Sequence, residues 1–192
     1  MKERKFSQES IRKLALVGLL TALATALSFL KIPILGASVT LVLPVVIIGG
    51  ALCGPWVGAW LTVIPNISAF SEAGIFLTYS PAGCVATLLL KGLVAGFAAG
   101  MVYKMLSKKH PIGAVTCSAV VAPVLNSGIF LLGCYLFIWE ELVRVAAEKS
   151  VGIGLLIFGL VGLNFSIELV LNIVLCPSIF RIIRIAAKKK FA

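Results

Sequence analysis

Few residues in this 192-residue chain are equipped for chemistry, and they lie in apolar surroundings. Lys91 stands ten residues past Pro81, which is about 15 Å along a helix at a rise of about 1.5 Å per residue. Glu168 is flanked by Asn164 and Asn172. That i, i+4, i+8 spacing puts a carboxylate and two amides on one helix face. Asn126 follows Pro123, whose ring removes a backbone donor and leaves the carbonyl of Ala119 without its helical partner. Ser127 comes next. Groups of this kind are expensive at membrane depth and mark functional positions by default. Two uses are open on the residues alone. Lys91 and Glu168 pair while the asparagines bond between helices, or the set lines a cavity for a polar solute. The polar stripe holds more groups than one ion pair needs, which favours the cavity. So does the mixed aromatic and polar segment Ser71–Ser80, which is suited to a lid and carries Tyr79, a side chain able both to stack and to hydrogen-bond.

The same inventory excludes other chemistry. The chain has no Asp, and its single His, His110, sits beside Lys108 and Lys109. No nucleophile stands next to a base, no GxSxG elbow occurs, and no cluster has metal-ligand spacing. An enzyme is not expected, nor a cofactor or a metal. No GxxxxGK[ST] loop is present, so any ATP hydrolysis belongs to other chains. Cys53, Cys84, Cys117, Cys134 and Cys176 form no CxxC pair and read as small apolar residues rather than a disulfide framework.

The elements that position these groups are membrane helices. Sixty per cent of the residues are hydrophobic and 12% are charged, against about 25% charged in ordinary soluble domains. Too few charges remain to cover a water-facing surface, and the sequence predicts an all-α integral membrane protein. Spans of about 20 apolar residues are read at about 14–30, 39–53, 56–70, 81–106, 112–139 and 151–176. The second and third are short, and the third contains Pro65-Asn66. The expectation is a bundle of six transmembrane helices forming a single domain over residues 1–192. Ala24-Thr25-Ala26 resembles a signal-peptide cleavage site, but cleavage there would spoil the charge pattern, so the first helix is expected to stay.

That pattern comes from a net charge of +10. Lys and Arg gather at the N-terminus, between the fourth and fifth spans, and at the C-terminus, which fall on one side if six helices cross. Both termini are therefore expected in the cytoplasm, and the basic residues are read as contacts to the lipid bilayer, with no nucleic acid partner. Small residues complete the picture. Gly92, Gly96 and Gly100 recur every fourth residue in the fourth span, as helix packing in lipid requires. Gly18, Ala22 and Ala26 do so in the first span, where a small stripe serves either the bundle or a separate membrane subunit.

Taken together, these residues resemble the substrate-binding S components of energy-coupling factor (ECF) vitamin transporters. The likeness runs from about Arg12 to Arg184. It rests on the six-span layout, the stripe Gly18, Ala22, Ala26 against that family's AxxxA motif, and the glycine–proline turn from Gly49 through Gly54-Pro55 to Gly58. The stretches 122–130 and 164–168 add to it. The resemblance implies a subunit in a prokaryotic cell membrane that captures a water-soluble vitamin or related small molecule. It implies docking through the first helix onto a transmembrane coupling subunit that is bound to two ATPase subunits. Carried onto this sequence, it favours Tyr79, Lys91, Asn126, Ser127, Asn164 and Glu168 as substrate-binding residues. The polar set is slightly more consistent with pantothenate than with riboflavin, folate or a modified-base precursor. A self-sufficient proton- or ion-coupled carrier, with Lys91–Glu168 as the coupling pair, is the alternative reading; a non-transporting membrane scaffold is the third.

Overall fold

Gly54 and Pro55 divide what would otherwise be one long apolar run. Gly54 takes φ +107°, a left-handed value that a side chain resists, and Pro55 opens the next helix, where its missing N–H is no loss. The computed structural model describes residues 2–30, 32–34, 37–39, 41–70 and 73–191. In it α1 (Lys2–Phe29) leads into an antiparallel pair, β1 (Ile32–Ile34) and β2 (Ala37–Val39), with Pro33 opposite Ser38. Next come α2 (Val42–Cys53), α3 (Pro55–Ala69) and the short α4 (Gly74–Tyr79). The long helices α5 (Pro81–Leu106) and α6 (Pro111–Glu148) follow. α7 (Ile153–Ile157) passes through a π-helical segment (Phe158–Gly162) into α8 (Leu163–Phe191).

Among the described residues, four stretches are long and apolar enough to cross a membrane: Ser10–Phe29, Pro81–Leu106, Pro111–Glu148 and Ile153–Ala186. α2, with 12 residues, is about 18 Å long and falls short of a hydrocarbon core of about 30 Å. It is buried on every side from Val42 to Gly50, as an all-apolar helix should be, and packs against α1, α3, α5, α6 and α8.

Glycine allows this central packing. A Cβ placed on Gly50 would stand 2.9 Å from the Cα of Gly100, and one on Gly100 would stand 2.7 Å from the Cα of Pro55. Gly58 and Gly96 bring each other's carbonyls to where a side chain would be. The backbones of the α2–α3 turn and α5 are thus in direct contact, the use of small residues expected of helices in lipid. One turn nearer α4, a side chain on Gly92 would collide with Asn66, whose Nδ2 donates to the Leu88 carbonyl at 2.7 Å. Ser118 ties α6 to the same helix by donating to the Ala99 carbonyl at 2.9 Å.

Two apolar clusters result. One joins α1, α2, α5, α6 and α8 through Leu20, Ala24, Ile47, Ala99, Ala119 and Ile179. The other joins α4, α5 and α6 through Phe76, Cys84, Leu88, Cys134, Ile138 and Leu142.

Several sequence expectations are corrected. The second span begins at Val42, because Ala37–Val39 forms a strand. Ser71 and Glu72 of the expected lid lie outside the described residues; the rest is not an open loop, because Gly74–Tyr79 is helical and Phe76 is 2% exposed. The fifth span does not stop at Trp139. It kinks at Ile138 (φ −140°, ψ 20°) and continues to Glu148, because Leu142 and Ala146 supply an inward face and Glu141 pairs with Arg144 at 3.1 Å on the other. Pro177 does not end the last helix, which runs on to Phe191; membrane helices tolerate interior proline. Among the described residues no disulfide joins the cysteines; Cys53, Cys84 and Cys134 are buried, whereas Cys117 faces outward.

The glycine contacts predict a sharp contrast. Gly96→Leu forces two backbones apart and should destabilise the detergent-solubilised protein by at least about 1–3 kcal/mol. Gly18→Ala, inside α1, meets nothing within 4 Å and should raise stability by about 0.5–1 kcal/mol by removing a helix-interior glycine. Thermal unfolding followed by size-exclusion chromatography reads both.

Candidate functional site

The polar groups lie between the two apolar clusters. On α5, Lys91 comes one turn after Leu88 of the second cluster and two turns before Ala99 of the first. On α6, Asn126 and Ser127 fall between Ala122 of the first cluster and Cys134 of the second. Each helix therefore carries its polar group at the layer where aliphatic packing is interrupted. There a cavity of about 120 Å³ is lined by Lys91, Asn126, Ser127 and Asn164, with Phe130 and Val161 among its apolar walls. Ala69, Ala73, Leu88 and Leu160 complete the lining.

Its geometry is set by neighbours. Phe130 stands one turn beyond Asn126, and the Lys91 ammonium lies 4.9 Å from the centre of its ring. This cation–π contact holds the ammonium at the cavity wall. Phe76 of α4 meets the same ring edge-on at 5.9 Å, so the short helix braces the site from its end of the bundle. The π-helical segment supplies Leu160 and Val161 and delivers the chain to Asn164; such bulges are frequent at functional sites. Asn164 Oδ1 is buried and has no hydrogen-bond partner among the described residues. A buried amide oxygen left so costs about 1–3 kcal/mol, an expense that a ligand donor would remove.

The structure thus brings Lys91, Asn126, Ser127 and Asn164 to one cavity. The other two sequence-selected residues are elsewhere. Tyr79 ends α4 with its side chain 47% exposed, and is not on the cavity wall. Glu168 is buried one turn past Asn164, also off the wall. Asn172 shares its face and donates from Nδ2 to the Glu168 carbonyl at 2.8 Å. The i, i+4, i+8 stripe is a real inward face, but only its first member reaches the cavity. Phe130 and Val161 went unselected, although Phe130 is four residues from Asn126 and so legible from helical spacing. Asn66 was read only as an interruption and is an interhelix bond. Among the described residues no group of His, Cys, Asp or Glu side chains is arranged to hold a metal.

The family model described as "ECF transporter, substrate-specific component" matches residues 12–180. The chain belongs to this family. No curated relative and no solved structure matches it. A substrate-specific component of an ECF transporter is a transporter subunit and not an enzyme. It is a multi-pass membrane protein that serves a small-molecule substrate and works with the partners of an ECF module.

The first helix, α1, has two distinct faces. Leu20, Ala24 and Ser28 are buried at successive turns, facing α2 and α3. Gly18, Ala22 and Ala26 occupy a different face and are exposed. The hydroxyls of Thr21 and Thr25 donate to the carbonyls of Val17 and Thr21, each at 2.8 Å, so they leave no unmet donors on a helix in lipid.

Asn164 supports a stability prediction. Asn164→Leu removes the unsatisfied amide oxygen and fills apolar space, so the ligand-free protein should gain up to about 1 kcal/mol. Differential scanning fluorimetry in detergent checks this; a clear loss of stability would mean that the amide has a structural partner.

Proposed function

We propose that this chain is the solute-capturing subunit of an ECF-type importer in a prokaryotic plasma membrane, binding a water-soluble vitamin or related small molecule in the cavity between α5, α6 and α8. The observation that carries the reading is the buried, unsatisfied Asn164 Oδ1 on the wall of a polar cavity at membrane depth, in a chain of the substrate-specific family. The chain forms one domain that crosses the membrane six times, with α2 and α3 as its short crossings and both termini in the cytoplasm. Lys and Arg at the two chain ends and around Lys104–Lys109 support that orientation. The α4 end then faces outward, and solute enters there.

Capture follows from the wall groups. Asn126, Asn164 and Ser127 exchange hydrogen bonds with water for hydrogen bonds with the solute, and Lys91 favours an acceptor or anionic group beside it. Glu168 supports the wall from within α8, and Tyr79 contacts solute only as it passes the α4 end. Docking uses the exposed Gly18, Ala22, Ala26 face of α1 on a transmembrane coupling subunit, whose two ATPase subunits supply the energy. Small side chains let the two helix backbones approach closely.

Reconstitution in vesicles tests this separation of tasks. Ala22→Leu should reduce uptake driven by the coupling and ATPase subunits to background while leaving solute affinity within about twofold. Asn164→Ala should weaken binding by about 1–3 kcal/mol, tenfold or more for most of that range. The chain alone should give no uptake under a proton gradient. Normal transport by Ala22→Leu would remove the docking assignment, and proton-driven uptake by the chain alone would favour a self-sufficient carrier.

A further inference from the structure

The cavity that receives the solute also limits its size, an inference that rests on the proposed reading of this site. The space is about 120 Å³. A closed apolar cavity of about 150 Å³ accepts a single benzene ring. Here the cavity is partly open, so a substituent or two can project beyond the walls. The walls are not readily widened. Ala73 and Val161 are each 7% exposed, and Phe76, packed with Ala73, is 2% exposed. Asn66 anchors α3 to the Leu88 carbonyl, and the glycine contacts leave no slack between α3 and α5. On the α3–α5 side, enlargement would mean parting close-packed backbones rather than turning a rotamer.

The lining also states what chemistry fits. Asn164 Oδ1 needs a donor. Asn126 and Ser127 supply both donors and acceptors. Leu88, Leu160 and Val161 supply aliphatic contact between these polar points. Phe130 adds edge contact rather than a free stacking face, because Lys91 lies over its ring and Phe76 stands beside it.

We infer that the site takes a compact amphipathic solute, the size of one substituted ring and of no more than about ten non-hydrogen atoms, with an N–H or O–H group that donates to Asn164 Oδ1. Riboflavin and folate, with fused rings and long substituents, exceed this limit. So does the extended chain of pantothenate, although it carries suitable hydroxyl and amide groups.

The test is native mass spectrometry of the full chain in lipid nanodiscs after incubation with deproteinised yeast extract, paired with thermal unfolding in the same extract. The expected result is a stoichiometric adduct below about 180 Da, accompanied by a raised Tm and reduced at least tenfold in Asn164→Ala. An adduct of pantothenate, riboflavin or folate mass would overturn the size limit and leave solute capture standing. A light adduct that persists undiminished in Asn164→Ala would overturn the assignment of the donor. No adduct and no change in Tm would overturn the solute-capture reading and this inference with it.

Discussion

Backbone contact between α5 and the α2–α3 turn is the constraint on which the rest of the structure depends. Lipid offers no hydrophobic drive for one helix to seek another, so association relies on close approach and on bonds between helices. Gly50, Gly58, Gly96 and Gly100 permit the approach. Asn66 then reaches Leu88 across the open side of Gly92, and Ser118 reaches Ala99 from the other flank. With α5 held on both sides, its position and rotation are fixed, and so is the direction in which Lys91 leaves it.

The site follows from that fixed helix. The two apolar clusters lie on either side of the layer of Lys91, Asn126 and Asn164, where aliphatic packing gives way to the cavity. That layer carries a cost, since polar atoms are buried and Asn164 Oδ1 has no hydrogen-bond partner among the described residues. Stability elsewhere sustains it. A cavity that has one side held by backbone contact keeps that side's shape without a ligand, and binding to such a surface spends little energy on ordering it.

Much of this was legible in the sequence, and the failures have physical causes. Composition and apolar run length identified the four membrane-length helices among the described residues, and four-residue spacing identified both small-residue stripes. Spacing alone could not assign the stripes. Gly92–Gly100 proved to be a packing surface and Gly18–Ala26 an exposed one, a distinction that depends on which neighbours the fold supplies. Proline was over-read as punctuation at Pro177, where the helix continues. Polarity reads as loop at 74–79 and after Trp139, where one buried face (Phe76 in the first, Leu142 and Ala146 in the second) makes helix instead. Among the site residues, helical periodicity grouped Asn164 with Glu168 correctly. It could not show that the cavity ends between them. Phe130 carried no polar signal, and the π-helical segment has no sequence signature, so Val161 was not found.

That segment, Phe158–Gly162, changes how this wall of the cavity can vary. A substitution at Leu160 or Val161 alters volume by a few atoms and leaves the register alone. A single-residue deletion or insertion acts differently. Each residue of α-helix turns the chain by about 100°, so restoring regular helix there would rotate α7 relative to Asn164 and present a new set of side chains to the solute. The segment contains Gly159 and ends at Gly162, and none of its residues takes part in the Gly50, Gly58, Gly96 and Gly100 contacts. A change of length at this point can be absorbed without disturbing them. Length, rather than residue type, is therefore the coarse variable through which a wall of this design can be reshaped.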